Sequence, residues 1–305
     1  MLRKFKIENG KLVENGHEDC PVLMYINPDE AEKKFLLEGL LIDEHTMNSA
    51  LDPNELGRIE FESNHNAIII KRPKRYSSED NFLLKISSVG LFFFPDKIVI
   101  LLTEDTPLFE GRTFTKIRSN PDLLLKLIHR CILHFEEHLQ VISKISNELE
   151  REINQALSNR DLLHMFNLEK SLVYYLNAIG SNGRVIDKMK SNPLKFNFSP
   201  EDNELLEDVI IENTQCYEQA RTYSEVLSGM MDAWVSIVSN NLNIRIKTLT
   251  VLMICIMVPT LVISAFSMNV KMPFPEGSPI SFWIIIGMAV ASILGVVFIQ
   301  RHHKW

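Results

Sequence analysis

The stretch Leu249–Phe266, LTVLMICIMVPTLVISAF, runs for eighteen residues without a charge, close to the lower limit for an α-helix that crosses a hydrocarbon core. A second uncharged run, FWIIIGMAVASILGVVFI over Phe282–Ile299, follows about 15 residues later. Its Gly, Ala and Ser residues let a neighbouring helix approach closely. A soluble core seldom offers two such runs side by side, so the pair predicts two transmembrane helices. Arg245 and Lys247 precede the first run and Arg301 and Lys304 follow the second, whereas Lys271 and Glu276 cancel in the loop between. That asymmetry predicts both chain ends on the cytosolic side of the cell (inner or plasma) membrane, with Trp283 and Trp305 at its interfaces.

Working outward, the start of the chain, MLRKFKIENGK, has no apolar stretch behind its basic residues, which predicts no signal peptide and a cytosolic first part. The runs PVLMYI, NAIIIKRP, FLLKISSVGLFFF and KIVILL are β-branched and aromatic, and Asn, Asp, Pro and Gly separate them. They predict an α/β domain over 1–118, with a hairpin turning at Pro95 and Asp96. From Asn120 the period changes: Leu124, Leu127, Ile128, Cys131, Ile132 and Phe135 recur at helical spacing. A helix to about Asn159, another from Asp161 to about Met189 and a break at Ser191–Pro193 predict a helical hairpin, assigned here to 119–198.

Ser199 followed by Pro200, Glu201 and Asp202 is a helix start, with a capping hydroxyl, proline at the first position and acids at the positive dipole end. No stop signal follows before the membrane, so one helix would run from an acidic stalk (199–248) into the first span (249–268). At 1.5 Å per residue it would be roughly 100 Å long. An external loop (269–281), the second span (282–300) and a basic tail (301–305) complete the chain. Between Glu201 and Asp232 the stalk carries nine acids against the single base Arg221, more negative charge than the net −7 of the whole chain. A solvated face accounts for part of this; copies packed about an axis would need cations to relieve the repulsion.

At this point the C-terminal third resembles the CorA family of magnesium transporters, whose mark is a Gly-Met-Asn triplet after the first of two C-terminal spans. Here the triplet is Ser267, Met268, Asn269. The likeness extends through SGMMDAWVSIVSNNLN, IKTLT, a proline-bearing span, the MP of the loop followed by Glu276, and the ending RHHKW. The resemblance implies an α+β cytosolic domain with a helical hairpin and a very long stalk helix, two transmembrane helices, and a CorA-like homopentamer in which the first spans surround the pore. It implies that Asn269, with Met268 and Ser267, forms the external mouth and contacts a cation that keeps its water shell. Neutral amide oxygens suit such an ion, because magnesium dehydrates reluctantly. Going inward, Asn243, Ile246, Leu249, Met253, Met257 and Thr260 fall every three or four residues on one face. That face would line the pore, with oxygens at Thr260 and Asn243 and apolar constrictions at Met257, Leu249 and Ile246. Packing between helices is the alternative use of Met and Leu at this spacing. Asp232 matches a family acid at the inner end of the pore, and Asp208 one at an inter-subunit regulatory metal site.

Serine in place of the family's glycine leaves three readings open. The transported and regulatory ion is Mg2+, with Co2+ or Ni2+ also passing; or it is Zn2+ or another transition metal; or the chain is a non-conducting membrane-anchored metal sensor. In each, the partners are divalent cations, the lipid bilayer and further copies of the chain. The acidic balance offers nucleic acid no footprint. No phosphate loop, nucleophile elbow or catalytic dyad is present, so the sequence predicts no enzyme. Cys20, Cys131, Cys216 and Cys255 are far apart and read as reduced, buried thiols. His134 and His138, with His129 nearby, lack the acid of a zinc-protease helix and read as a solvated or hairpin-packing face. The stretch KRPKR at 71–75 reads as a surface loop.

Overall fold

A computed structural model describes residues 1–15, 20–74, 83–153, 159–268 and 279–302. The chain divides into two compact units, Met1–Met231 and Asp232–Trp305. In the first, seven strands, β1 (Leu2–Glu8), β2 (Lys11–Glu14), β3 (Val22–Ile26), β4 (Arg58–Phe61), β5 (Asn66–Pro73), β6 (Ile86–Phe93) and β7 (Ile98–Leu102), make one sheet in the order β2-β1-β3-β7-β6-β5-β4. Only the β3–β7 pair is parallel. The central strands are buried on both faces, which is why they read as continuous apolar runs rather than alternating ones. β6 and β7 form the expected hairpin, closed where the Phe94 amide donates to the Lys97 carbonyl.

One face of the sheet carries α1 (Glu30–Lys34), a turn of π-helix at Phe35–Gly39, and α2 (Glu44–Leu51). They pack Leu36, Met47 and Ala50 on Ile69, Phe92, Val99 and Leu101. A Cβ built at Gly90 would stand 2.7 Å from the Ala50 Cβ, so β6 needs glycine where α2 crosses it. The opposite face holds the larger core, in which Ile68, Ile70, Leu91 and Ile100 meet α3 (Asn120–Ile153), α4 (Asn159–Lys190) and the start of α5 (Pro200–Phe266). α3 and α4 form an antiparallel hairpin: Phe135 and His138 of α3 both pack against Tyr175 of α4, and His138 Nδ1 lies 2.7 Å from the Tyr175 hydroxyl.

The 71–75 stretch differs from the surface loop expected of it. Lys71 and Arg72 belong to β5 and are each 2% exposed; Arg75 lies outside the described residues. The Lys71 ammonium donates to Ser88 Oγ at 2.6 Å and to the Pro53 carbonyl at 3.0 Å, and burial pulls its pKa down to about 8. A buried amine with such acceptors avoids the cost of an unpaired buried charge. α5 begins as the sequence predicts: Ser199 Oγ accepts from the Asp202 amide at 3.1 Å, and Asp202 Oδ2 from the Ser199 amide at 3.0 Å.

The second unit holds the distal part of α5 and α6 (Pro279–His302). Each contains a window apolar and long enough to cross a membrane, and those windows are 0% and 6% buried. Helices so apolar and so bare are not the core helices of a soluble fold.

Candidate functional site

The acidic part of α5 separates into carboxylates that the fold uses and carboxylates that it leaves outward. Asp202 is buried and accepts from Arg118 Nη2 at 3.3 Å, with Arg118 also bound to the buried Asp122. Glu212 meets His129 Nε2 of α3 in a short contact, which joins the hairpin to α5. Glu225 pairs with Arg221 and Glu207 with Lys190 on the surface. The Glu201 carboxyl is held below its usual pKa by backbone amide and Ser199 hydrogen bonds at the helix start. Asp208 and Asp232 are exposed and make no ion pair among the described residues. They lie about six to seven helical turns apart on α5, so no single ion reaches both. Among the described residues no three His, Cys, Asp or Glu side chains gather around one point.

In the second unit, exposure falls along one stripe of α5: Val251, Cys255, Val258, Pro259, Val262 and Phe266 are buried or half-buried. α6 has a matching stripe, Ser281, Ile285, Met288, Ala289, Ser292 and Val296. A pair of stripes repeating every three or four residues is what two helices produce when laid side by side. Asn243, Ile246, Leu249, Met253, Met257 and Thr260 are all exposed. At about 100° per residue they lie on nearly the opposite side of α5 from the covered stripe. Met257 is 67% exposed and Leu249 57%, although both sit in an apolar helix. This face is therefore left uncovered by the rest of its own chain.

Two hydroxyls among the expected site residues are already committed to the helix. Thr260 Oγ1 donates to the Ile256 carbonyl at 2.6 Å, which leaves its lone pairs as acceptors toward the exposed face. Ser267 Oγ donates to the Ile263 carbonyl at 3.0 Å, and its amide to the same carbonyl at 3.1 Å, closing the last turn. Ser267 does not occupy the left-handed backbone region that would call for glycine. Met268 follows it, 62% exposed. Asn269 lies outside the described residues. Sequence reasoning passed over the His129–Glu212 contact between α3 and α5; a histidine beside the buried run Leu123–Ile128 was its one signal.

The sequence profile of the CorA-like Mg2+ transporter proteins matches residues 23–301. The cobalt/magnesium transport protein CorA of Methanocaldococcus jannaschii is 24% identical over 97% of this chain and 95% of its own length. The protein of that name from Thermotoga maritima is 21% identical over 85% of this chain and 75% of its own. The complete structure of the CorA magnesium transporter from M. jannaschii superposes with a TM-score of 0.82 at 22% identity, covering 98% of this chain and 96% of that one. With two apolar spans at the end of an α/β domain and a profile match over most of its length, the chain belongs to the CorA-like family of divalent-cation transporters, a family of membrane transport proteins and not of enzymes.

Proposed function

We propose that the chain is a homopentameric Mg2+ uptake channel of the cell (inner or plasma) membrane, with both ends cytosolic, which moves the ion down the membrane potential. The observation that carries this reading is the exposed face of α5, opposite the stripe that exposure identifies as covered. Two helices enclose no conduit, so the outward face of the first span gains a lining role only among further copies. Five is the number the family resemblance implies. In this arrangement Asn243 and Thr260 present oxygens to hydrated ions, while Ile246, Leu249, Met253 and Met257 narrow the path with apolar rings that open and close by wetting. Asn269, with Met268 beside it, forms the external mouth, where amide oxygens accept from the water shell of an ion that dehydrates reluctantly. The membrane potential contributes about 2.3 kcal/mol per charge per 100 mV, so the channel needs no ATP.

Asp208 and Asp232 are proposed as the regulatory acids. Exposed and without ion pairs among the described residues, they suit a cation shared with neighbouring copies, whose occupancy by cytosolic Mg2+ would close the pore. The Ser267 geometry favours magnesium over the zinc and sensor readings. Its hydroxyl closes the helix end and its backbone takes an ordinary conformation, which supports a serine in the position where the family has glycine.

The test is divalent-cation flux into liposomes holding the purified protein, comparing Mg2+, Co2+, Ni2+ and Zn2+, with Asn269→Ala as the comparison. Mg2+ entry that the substitution abolishes supports the reading. Zn2+ entry alone, absence of any flux, or unchanged Mg2+ entry in the variant overturns it.

A further inference from the structure

Three polar contacts fasten α5 along α3. Arg118 links Asp122 to Asp202 where both helices begin, His129 Nε2 meets Glu212 Oε2 further along, and Ser146 Oγ lies 3.7 Å from Met230 Sδ at the far end. Of the three, the middle one contains a group that titrates near neutral pH. A neutral imidazole that gives its Nε2 proton to Glu212 keeps a bare lone pair on Nδ1, and that atom is buried without a hydrogen-bond partner among the described residues. Glu136 follows His129 by two turns on the same face of α3, half-buried and making no ion pair among the described residues. Burial first, and then the charge of Glu212, hold the Glu136 carboxyl above its ordinary pKa, while His129 pulls the other way and Glu137 adds a smaller push. The neighbouring cations of α3 are engaged elsewhere: Lys126 with Asp122 at 2.7 Å and Arg130 with Glu137 at 2.6 Å. On α5, Asp208 is exposed, and burial together with Glu136 pushes the Cys216 thiol up to about 12, so it stays neutral. Two carboxylates therefore share one imidazole.

We propose that His129, Glu136 and Glu212 form a proton-binding cluster that tightens the seam between α3 and α5 as pH falls. A proton on the ring turns a neutral hydrogen bond into a charge-assisted one, roughly twice as strong. A proton on Glu136 removes the repulsion between two half-buried carboxylates. The sign follows from linkage: a carboxyl raised above its unfolded value binds its proton more tightly in the folded chain, so the seam gains strength as pH drops toward the ordinary carboxylate range. The proton belongs to the cluster rather than to one group. α5 is a single helix from Pro200 to Phe266, so the helix whose seat the proton adjusts is the one that continues into the first span. The cluster is independent of the transport reading.

The experiment uses Cys216, which is 0% exposed on the α5 side of the seam and reacts only when the seam opens. Full-length protein in detergent and magnesium-free buffer is labelled with a thiol reagent, and the Cys216 peptide is followed by mass spectrometry. Its rate is divided by the rate in denatured protein at the same pH, which removes the titration of the thiol itself. In wild type this ratio should fall about tenfold or more between about pH 8 and about pH 5, tenfold being one pKa unit of difference between joined and opened states. Glu136→Gln, which mimics the protonated carboxyl, should be protected at both pH values and change by less than about threefold, and His129→Gln should flatten the dependence as well. Both positions are half-buried and both replacements are polar. His65 and His138, whose burial acts in the opposite direction, are present in every variant and cancel in the comparison. Arg221→Gln, which removes an exposed cation of α5 paired with Glu225, should keep the wild-type dependence. A wild-type ratio that does not fall with pH, or a fall retained in full by both cluster variants, would overturn the proposal.

Discussion

α5 is one helix with two environments. In its first half Asp202, Leu206, Val209, Asn213, Cys216, Ala220, Leu227 and Met230 are buried, at steps of three, four or seven residues. That is the spacing of a helix seam, and its own chain covers it. Beyond Met231 the described residues of the helix are exposed or half-exposed apart from Pro259, although the composition becomes more apolar. Hydrophobicity and burial have parted company. In the first half apolar residues stabilise the fold by packing against the sheet and hairpin; in the second the chain itself covers little more than one stripe. Single-chain burial therefore says which part of the helix holds the domain together and which part its own chain leaves uncovered.

The comparison can be broken first by matched truncations. Leu206→Ala, at a site 2% exposed, should cost the cytosolic unit about 2–5 kcal/mol in chemical denaturation. Leu249→Ala, at a site 57% exposed, should leave that stability within about 0.5 kcal/mol and alter Mg2+ flux instead. Equal losses would mean that the two halves share one packing regime. A smaller effect concerns the outward acids. Asp208→Asn together with Asp232→Asn should abolish the difference in protease protection between magnesium-free and magnesium-saturated protein; an unchanged difference would remove both from regulation.

The smallest effect is on pH dependence in the first unit. Burial lowers the pKa of His138 and of His65 below the usual value near 6.5. The unfolded chain then binds more protons than the folded one between the folded and unfolded pKa values, so stability falls as pH drops from 7 through 6.5 toward the lower folded values. His138→Gln should flatten the part of that slope belonging to the hairpin. A steeper slope in the variant would contradict the assignment.

Much of this division was readable from residue order. The uncharged runs after Leu249 and after Phe282, the Ser199 start of α5 and the Pro95–Asp96 turn each rest on a local physical signal, and the structure has the corresponding helices and hairpin. Local signals do not carry the pairing of β3 with β7 or the position of β4 at the edge, because those depend on which distant segments meet. Lys71 and Arg72 show why a basic run misleads: the acceptors that make their burial tolerable come from Pro53, Ser88 and Thr106, none adjacent in sequence. For the candidate site, spacing alone placed the six residues from Asn243 to Thr260 on one face. It could not tell a face turned toward α6 from one turned away, and exposure supplies that distinction.

The most direct test of that distinction is chemical block of Mg2+ flux through single cysteines introduced into a Cys255→Ser background. The account predicts that Met253→Cys, Met257→Cys and Thr260→Cys channels are blocked by a water-soluble thiol reagent, while Val251→Cys, Val258→Cys and Val262→Cys channels are not. Block at the second set with the first set untouched would place the ion path on the other side of α5 and contradict the account.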